Sequence, residues 1–218
     1  MEIRNFINGE FIGSISKKNI PILNPANQKI VASIDEALDD EIDLAFSAAK
    51  KAFEQRILLD MDAKEKSKLM RSIASKLREY KTQGAKLLSS ENGKTIEQCE
   101  GEFLSAADTY DYYAGLTDKI ENKMIPAGKD TFNYVILEPY GVSLQIVPWN
   151  YPIVIFASMT AQNLVVGNTI VIKPPELCPI SSNIFGKIFE EVGLPKGIIN
   201  IVHGYGEVTG RKLVKHSD

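Results

Sequence analysis

Apolar residues recur along this chain at two intervals. Between residues 39 and 54 they fall at Ile42, Phe46, Ala49 and Phe53. Spacing of three and four places them on one face of a helix. Residues 62–80 repeat the pattern with Leu69, Ile73 and Leu77, with Asp62 as the side-chain cap. A short helix is predicted near 82–91, ending at Asn92-Gly93, where a glycine takes the left-handed conformation that stops helices. Thr95-Ile96-Glu97-Gln98 has the layout of a capping box, and predicts a longer helix reaching about Tyr113. Ahead of these helices, Phe6–Gly13 reads as two short strands around an Asn8-Gly9 turn, followed by a loop through Asn24-Pro25-Ala26.

The rhythm changes after residue 123. Thr131–Glu138 alternates β-branched and aromatic residues with polar ones, as a strand does, and ends at Pro139-Tyr140-Gly141. From Gly141 the chain predicts strand and helix in turn. Strands are expected at Val142–Val147, Thr169–Ile172 and Ile198–Val202. Helices are expected at Pro152–Val166, Ile180–Val192 and Glu207–Lys215. Strands that are apolar on both faces and alternate with helices predict an α/β fold with a Rossmann-like parallel sheet covered on both faces.

Length and composition narrow the classes. The 218 residues suit one large or two small domains. An apolar fraction of 44%, a charged fraction of 24% and a formal charge of −3 describe a globular protein with no basic surface for nucleic acid or an anionic membrane. The two cysteines, Cys99 and Cys178, form no CxxC and no zinc spacing, so no metal site is expected and a reducing cytoplasm is the expected location. The amino terminus lacks the layout of a signal peptide, and the longest apolar stretch, near Ile153–Ala161, is too short to span a bilayer.

In open α/β sheets ligands bind beyond the carboxyl ends of the strands. Here those ends carry Pro148-Trp149-Asn150, Lys173-Pro174-Pro175-Glu176 and His203-Gly204-Tyr205-Gly206. Gly204, Gly206 and Gly210 miss the G-x-G-x-x-G dinucleotide spacing by one residue, so on spacing alone they read as a loop with a packing glycine.

In combination these segments are more specific. Gln145–Pro152, Gly167–Glu176, Gly193-Leu194-Pro195, Asn200-Ile201-Val202 and Gly204-Tyr205-Gly206 occur in one order, after Ile7-Asn8-Gly9-Glu10, Asn24-Pro25-Ala26 and Glu91-Asn92-Gly93-Lys94. The chain thereby resembles the amino-terminal part of the NAD(P)-dependent aldehyde dehydrogenase superfamily. The resemblance implies that Asn150 donates its side-chain amide to the oxyanion formed when a thiolate attacks an aldehyde. It implies that Lys173 and Glu176 hold the adenosine ribose, that Ile146, Pro148 and Trp149 line the cofactor channel, and that Gly206 and Gly210 leave room beside the adenine. Read without it, Asn150 bonds local backbone, Lys173 and Glu176 form a solvated ion pair, Ile146, Pro148 and Trp149 pack in the core, and the glycines serve backbone geometry.

The resemblance further implies an amino-terminal cofactor-binding domain of residues 1–123 and 141–218, and an oligomerisation arm that begins within 124–140. The expected cofactor is NAD, since Glu176 opposes the 2′-phosphate of NADP. The implied substrate is an aldehyde, with a homo-oligomer in the complete protein. The catalytic cysteine, the general base and the phosphate loop are expected beyond Asp218, so neither Cys99 nor Cys178 matches the nucleophile and the 218 residues alone are expected to be inactive. An incomplete sheet of this kind is also expected to leave an open edge at Ile198–Val202 or its neighbour. The chain departs from many family members at Met159, where they carry Lys, and at Gln162-Asn163, where they carry Pro-Ala, on the helix behind Asn150. The alternatives to an enzyme segment are a non-catalytic dinucleotide-binding remnant and an interaction module that uses the strand arm.

Overall fold

The structure is a computed structural model that describes residues 2–15 and 18–217. Strands β1 (Glu2–Ile3), β2 (Asn5–Ile7) and β3 (Glu10–Ile12) open the chain. β2 and β3 form the expected hairpin, with φ of +52° at Asn8 and +78° at Gly9. Positive φ at both turn residues matches the strand twist, which is why Asn-Gly serves there. Next come β4 (Asn19–Leu23) and β5 (Ile30–Asp35), an antiparallel pair joined by β1 in a sheet of order β1-β5-β4. The loop expected through Asn24-Pro25-Ala26 is only the turn of this pair. Ile20 and Ile22 are buried while their neighbours are not, a period-two signal that Pro21 obscures. Proline is tolerated there because β4 is an edge strand.

Helix α1 (Asp39–Glu54) follows, then α2 (Ala63–Asn92) and α3 (Ile96–Ala114). α2 is one helix of 30 residues, not the expected pair at 62–80 and 82–91. Gly84 lies in its middle, where a Cβ would fall 2.1 Å from Cζ of Phe103. The glycine admits an aromatic ring from α3 and does not interrupt α2. The Asp62 cap, the αL stop at Gly93 and the Thr95–Gln98 capping box all form as expected.

β6 (Lys123–Pro126) and β7 (Phe132–Val135) make a separate antiparallel ribbon, exposed along its length. The strand-helix alternation then runs β8 (Val142–Ile146), α4 (Pro152–Val166), β9 (Thr169–Lys173), α5 (Ile184–Glu191), β10 (Ile199–Ile201) and α6 (Arg211–Lys215). β8, β9 and β10 are parallel, but the sheet is mixed, with order β3-β2-β10-β9-β8, because β2 pairs antiparallel with β10. The amino-terminal hairpin therefore covers the side of β10 where an open edge was expected, and the exposed parallel edge is β8. For the same reason β8 is only partly buried along its length, although it was expected to be buried on both faces.

Helices pack on both faces. Ile7, Val171 and Val202 meet Ile42 and Phe46 of α1 on one side. Ile170, Ile172, Ile199 and Ile201 meet Phe156 of α4 and Phe185 and Phe189 of α5 on the other, in a core that continues into α2 and α3. Two helix starts differ from expectation. α5 begins at Ile184, not Ile180: the residues before it close in tighter turns, with the Ile184 N–H on the Ser181 carbonyl and the Phe185 N–H on the Ser182 carbonyl, while the N–H groups of Ile180 and Ser181 go to the Glu91 carboxylate at 2.6 and 2.8 Å. The helix expected from Glu207 opens with one wide turn at Gly206–Gly210, in which the Gly210 N–H reaches the Tyr205 carbonyl at 3.1 Å. Among the described residues no helix is long and apolar enough to cross a membrane, and no cluster of His, Cys, Asp or Glu is arranged to hold a metal ion.

Candidate functional site

Because β8, β9 and β10 are parallel, their carboxyl ends share one edge of the sheet. Lys173 is the last residue of β9 and is only 1% exposed. Its ammonium donates to Glu176 Oε2 at 2.9 Å and to the Pro174 carbonyl at 3.1 Å. The other oxygen of Glu176 accepts the Gly206 N–H at 3.2 Å, from the loop after β10. The solvated surface pair that was the alternative reading is thereby excluded for Lys173. Burial alone would push the Glu176 carboxyl up, but the Lys173 ammonium and the nearby N–H groups outweigh it and hold the group below the usual carboxylate range. Glu176 is a fixed anion at the sheet edge.

Both glycines lie against this pair. A Cβ on Gly210 would lie 3.7 Å from Lys173 Cε, and one on Gly206 would lie 3.7 Å from Glu176 Oε1. A cleft of about 490 Å³ lies beside Glu176, lined by Glu176, Tyr205, Gly206, Glu207 and Val208. The arrangement suits a polyhydroxyl group. Glu176 has lone pairs left for hydroxyl donors, and Lys173 has one N–H beyond the two in use. A second cleft, of about 330 Å³, lies on the other side of Glu176 between Trp149, Leu177, Asn92 and β4. A larger cleft, of about 830 Å³, runs along α2 and residues 114–119 and includes none of the strand-end residues.

The loop after β8 presents its side chains outward. Ile146, Pro148, Trp149 and Asn150 are all exposed, so core packing is not their role. Ile146 and Pro148 line neither strand-end cleft, whereas Trp149 faces Glu176 across the second. At Asn150 the fold engages the backbone carbonyl, through Lys94 Nζ, and leaves the amide side chain exposed.

The two thiols and the two imidazoles line neither of the strand-end clefts. Cys99 and Cys178 are buried, and burial pushes their thiols up to about 11 and about 12. His203 is fully buried, and burial, reinforced by the Lys173 charge, pushes it down to about 3, so its ring is neutral. His216 stacks on Phe46 with ring centres 4.0 Å apart.

Sequence reasoning missed the residues that hold these loops in place. Glu91 and Lys94 stood out only as part of a family pattern, and Asn92 also at a helix stop, none of them with a role at the strand-end loops. Glu91 takes two backbone N–H groups and the Ser181 hydroxyl, and so pins the segment after Glu176. Burial pushes its carboxyl up to about 8 against those three donors. The available signal was a polar run, Glu91-Asn92-Gly93-Lys94, at a helix end where solvated polar residues were the simpler reading.

Comparison with known proteins agrees with this architecture. The family model described as the aldehyde dehydrogenase family matches residues 11–218. The chain is 37% identical over 213 residues to a mitochondrial benzaldehyde dehydrogenase of Antirrhinum majus, a match that covers 97% of this chain and 40% of that protein. It superimposes on the NAD+ complex of an aldehyde dehydrogenase from Bacillus cereus with a TM-score of 0.96 at 38% identity, over 99% of this chain and 44% of that one. A betaine aldehyde dehydrogenase from Staphylococcus aureus, in complex with NAD+, gives a TM-score of 0.93 at 34% identity and 43% coverage of that chain. The chain belongs to the aldehyde dehydrogenase family. It spans less than half the length of each of these relatives.

Proposed function

We propose that this chain supplies the dinucleotide-binding part of an enzyme that oxidises an aldehyde to a carboxylic acid with NAD. The observation that carries the reading is the Lys173–Glu176–Gly206 arrangement over a cleft at the strand ends. Glu176 accepts the two hydroxyls of an adenosine ribose, and the buried Lys173 keeps it ionised and oriented. A 2′-phosphate in the same place would meet a carboxylate, so NAD is favoured over NADP. Gly206 and Gly210 leave room for the adenine, and Ile146, Pro148 and Trp149, exposed at the neighbouring strand end although only Trp149 borders a cleft, are free to meet the rest of the cofactor. The nicotinamide, when bound, accepts a hydride. Asn150 directs its side-chain N–H at the oxyanion of the substrate, where a fixed donor stabilises charge that develops in the transition state.

In this reading residues 1–123 and 141–218 form the cofactor-binding domain, and 124–140 belong to an arm that joins copies of the protein. The exposed ribbon fits that role, since Met124 and Phe132 are each more than 70% exposed and an apolar strand pair so open to water invites pairing.

Titration of this chain with NAD and NADP, by calorimetry at fixed ionic strength, tests the cofactor assignment. Wild type is expected to bind NAD more tightly, and Glu176→Gln to narrow the difference. Equal binding of the two by wild type, or an unchanged difference in E176Q, would remove the argument.

A further inference from the structure

One turn grips three consecutive residues of the loop that carries Asn150. Gly93, with φ +87°, lets the chain reverse between α2 and α3, so that residues on both sides of it face that loop. On one side, the Asn92 amide donates to the Trp149 carbonyl at 2.9 Å. On the other, Lys94 Nζ donates to the Asn150 carbonyl and sits 4.0 Å over the Tyr151 ring. Glu102 of α3, whose side chain is 3% exposed, pairs with the same ammonium. Its second oxygen accepts the N–H of Ile153 at 3.3 Å.

That last contact replaces a missing cap. Tyr151 occupies the N-cap of α4 and makes no side-chain capping bond, and Pro152 follows at the first helical position. The Ile153 N–H would otherwise have no partner in its own helix. Glu102 supplies one from α3, and its negative charge lies at the positive end of the α4 dipole. The segment 149–153 is thus held at two carbonyls, one aromatic ring and one N–H, by Asn92, Lys94 and Glu102.

We propose that Lys94 and Glu102, assisted by Asn92, are positioning residues for Asn150. With its backbone carbonyl held, the exposed amide of Asn150 moves only by rotation of its own side chain and not with the loop. Oxyanion contacts require placement to within roughly 0.5 Å, which an unanchored loop does not provide. The inference rests on the assignment of Asn150 made above.

The test uses this chain and its variants Lys94→Met, Lys94→Arg, Glu102→Gln and Asn150→Ala. Trp149 is the sole tryptophan, so acrylamide quenching reports the loop directly. The order parameter of the Asn150 side-chain NH2, measured by NMR, reports the donor itself, and circular dichroism checks the fold. Loss of a charge-assisted hydrogen bond should raise the displaced-loop population in K94M roughly tenfold. K94R should restore wild-type order, and E102Q, which keeps an acceptor for Ile153, should fall between. A folded K94M with wild-type quenching and Asn150 order overturns the proposal. If K94M does not fold, E102Q decides on the same two readouts. The readings separate through N150A in a catalytically active form of the protein. Unchanged kcat there would remove the oxyanion role of Asn150, whereas the grip of Lys94 on the loop is judged by the order measurements.

Discussion

Replacing Lys173 with methionine isolates the electrostatic part of the strand-end site. Methionine keeps most of the stem that runs past Gly210 and removes the ammonium. Lys173 is almost completely buried, and Glu176 is 29% exposed at its side chain. Removing one partner of a fully buried pair costs about 3–5 kcal/mol, because the remaining charge is left without compensation. Glu176 retains some contact with water, so the expected loss is nearer 2 kcal/mol. The Pro174 carbonyl also loses its donor. A second substitution, Glu176→Gln, removes the stranded charge and should recover about half of the loss. Urea unfolding of the two single variants and the double variant measures all three quantities. The pH dependence gives an independent sign. In wild type the Glu176 carboxyl is depressed below 4.5, so its contribution is present above that value and is lost as pH falls through the folded pKa. In K173M the burial effect is left without its main opponent, the folded pKa rises above 4.5, and stability should fall as pH rises through that range. A K173M variant within about 0.5 kcal/mol of wild type at neutral pH, or one that E176Q does not rescue, would refute a coupled buried pair.

Gly84→Ala should destabilise the chain by about 1–3 kcal/mol despite a gain in helix propensity near 1 kcal/mol, because its Cβ would meet the buried Phe103 ring; a thermal midpoint at or above wild type would contradict this. Glu91 has a folded pKa of about 8 against an ordinary 4.5, so its contribution to stability is fully present below 4.5 and is lost as pH rises toward 8. Glu91→Gln should flatten that slope and cost about 1–3 kcal/mol at acidic pH, since the amide offers the Ile180 and Ser181 N–H groups one acceptor in place of two; denaturant titrations across pH measure both. This chain by itself should form no NADH from aldehydes, because both of its thiols are buried and pushed up to about 11 and 12; turnover at 340 nm that disappears in Cys99→Ala or Cys178→Ala would identify a nucleophile in the chain. Phe132→Ser with Met124→Ser should reduce self-association driven by the exposed ribbon, as sedimentation velocity would show.

The elements with strong local signals were legible from the sequence. α1 and α4 have the bounds their periodicity predicts, and the Asn8-Gly9 hairpin and the Thr95 capping box form as read. The elements that were misread are those whose conformation is set by a distant partner. Gly84 resembles a break only until Phe103 arrives from the neighbouring helix. Residues 180–183 resemble the first turn of α5 but close in tighter turns, and Glu91, 89 positions earlier, takes the N–H of Ile180. β4 carries an alternating pattern, but its proline hides it unless its edge position is known.

The candidate site divides in the same way. Position at a strand end was legible for Asn150, Lys173, Glu176 and Gly206, because parallel strands bring such residues to one edge whatever the chemistry. Burial was not. Lysine and glutamate three residues apart in a loop read as a solvated pair, yet β9 is central in the sheet and its final residue is carried inside with it. The fourfold attachment of residues 149–153 to the α2–α3 turn and to Glu102 of α3 was equally hidden, because two of its acceptors are backbone carbonyls, which sequence does not distinguish from any others. This has a consequence for the departures at Met159, Gln162 and Asn163. Asn163 bonds the Met159 carbonyl at 2.8 Å and accepts from Asn168 at 2.9 Å, and Asn168 in turn accepts the Gly141 N–H at 3.0 Å. Of these positions Asn163 alone ties the carboxyl end of α4, through Asn168, to the start of β8, whereas the Gln162 side chain bonds Ser158 within its own helix, and Glu102 and Lys94 hold the amino end. Asn150 is gripped at its backbone by Lys94, at the opposite end of α4 from the bonds that Asn163 makes.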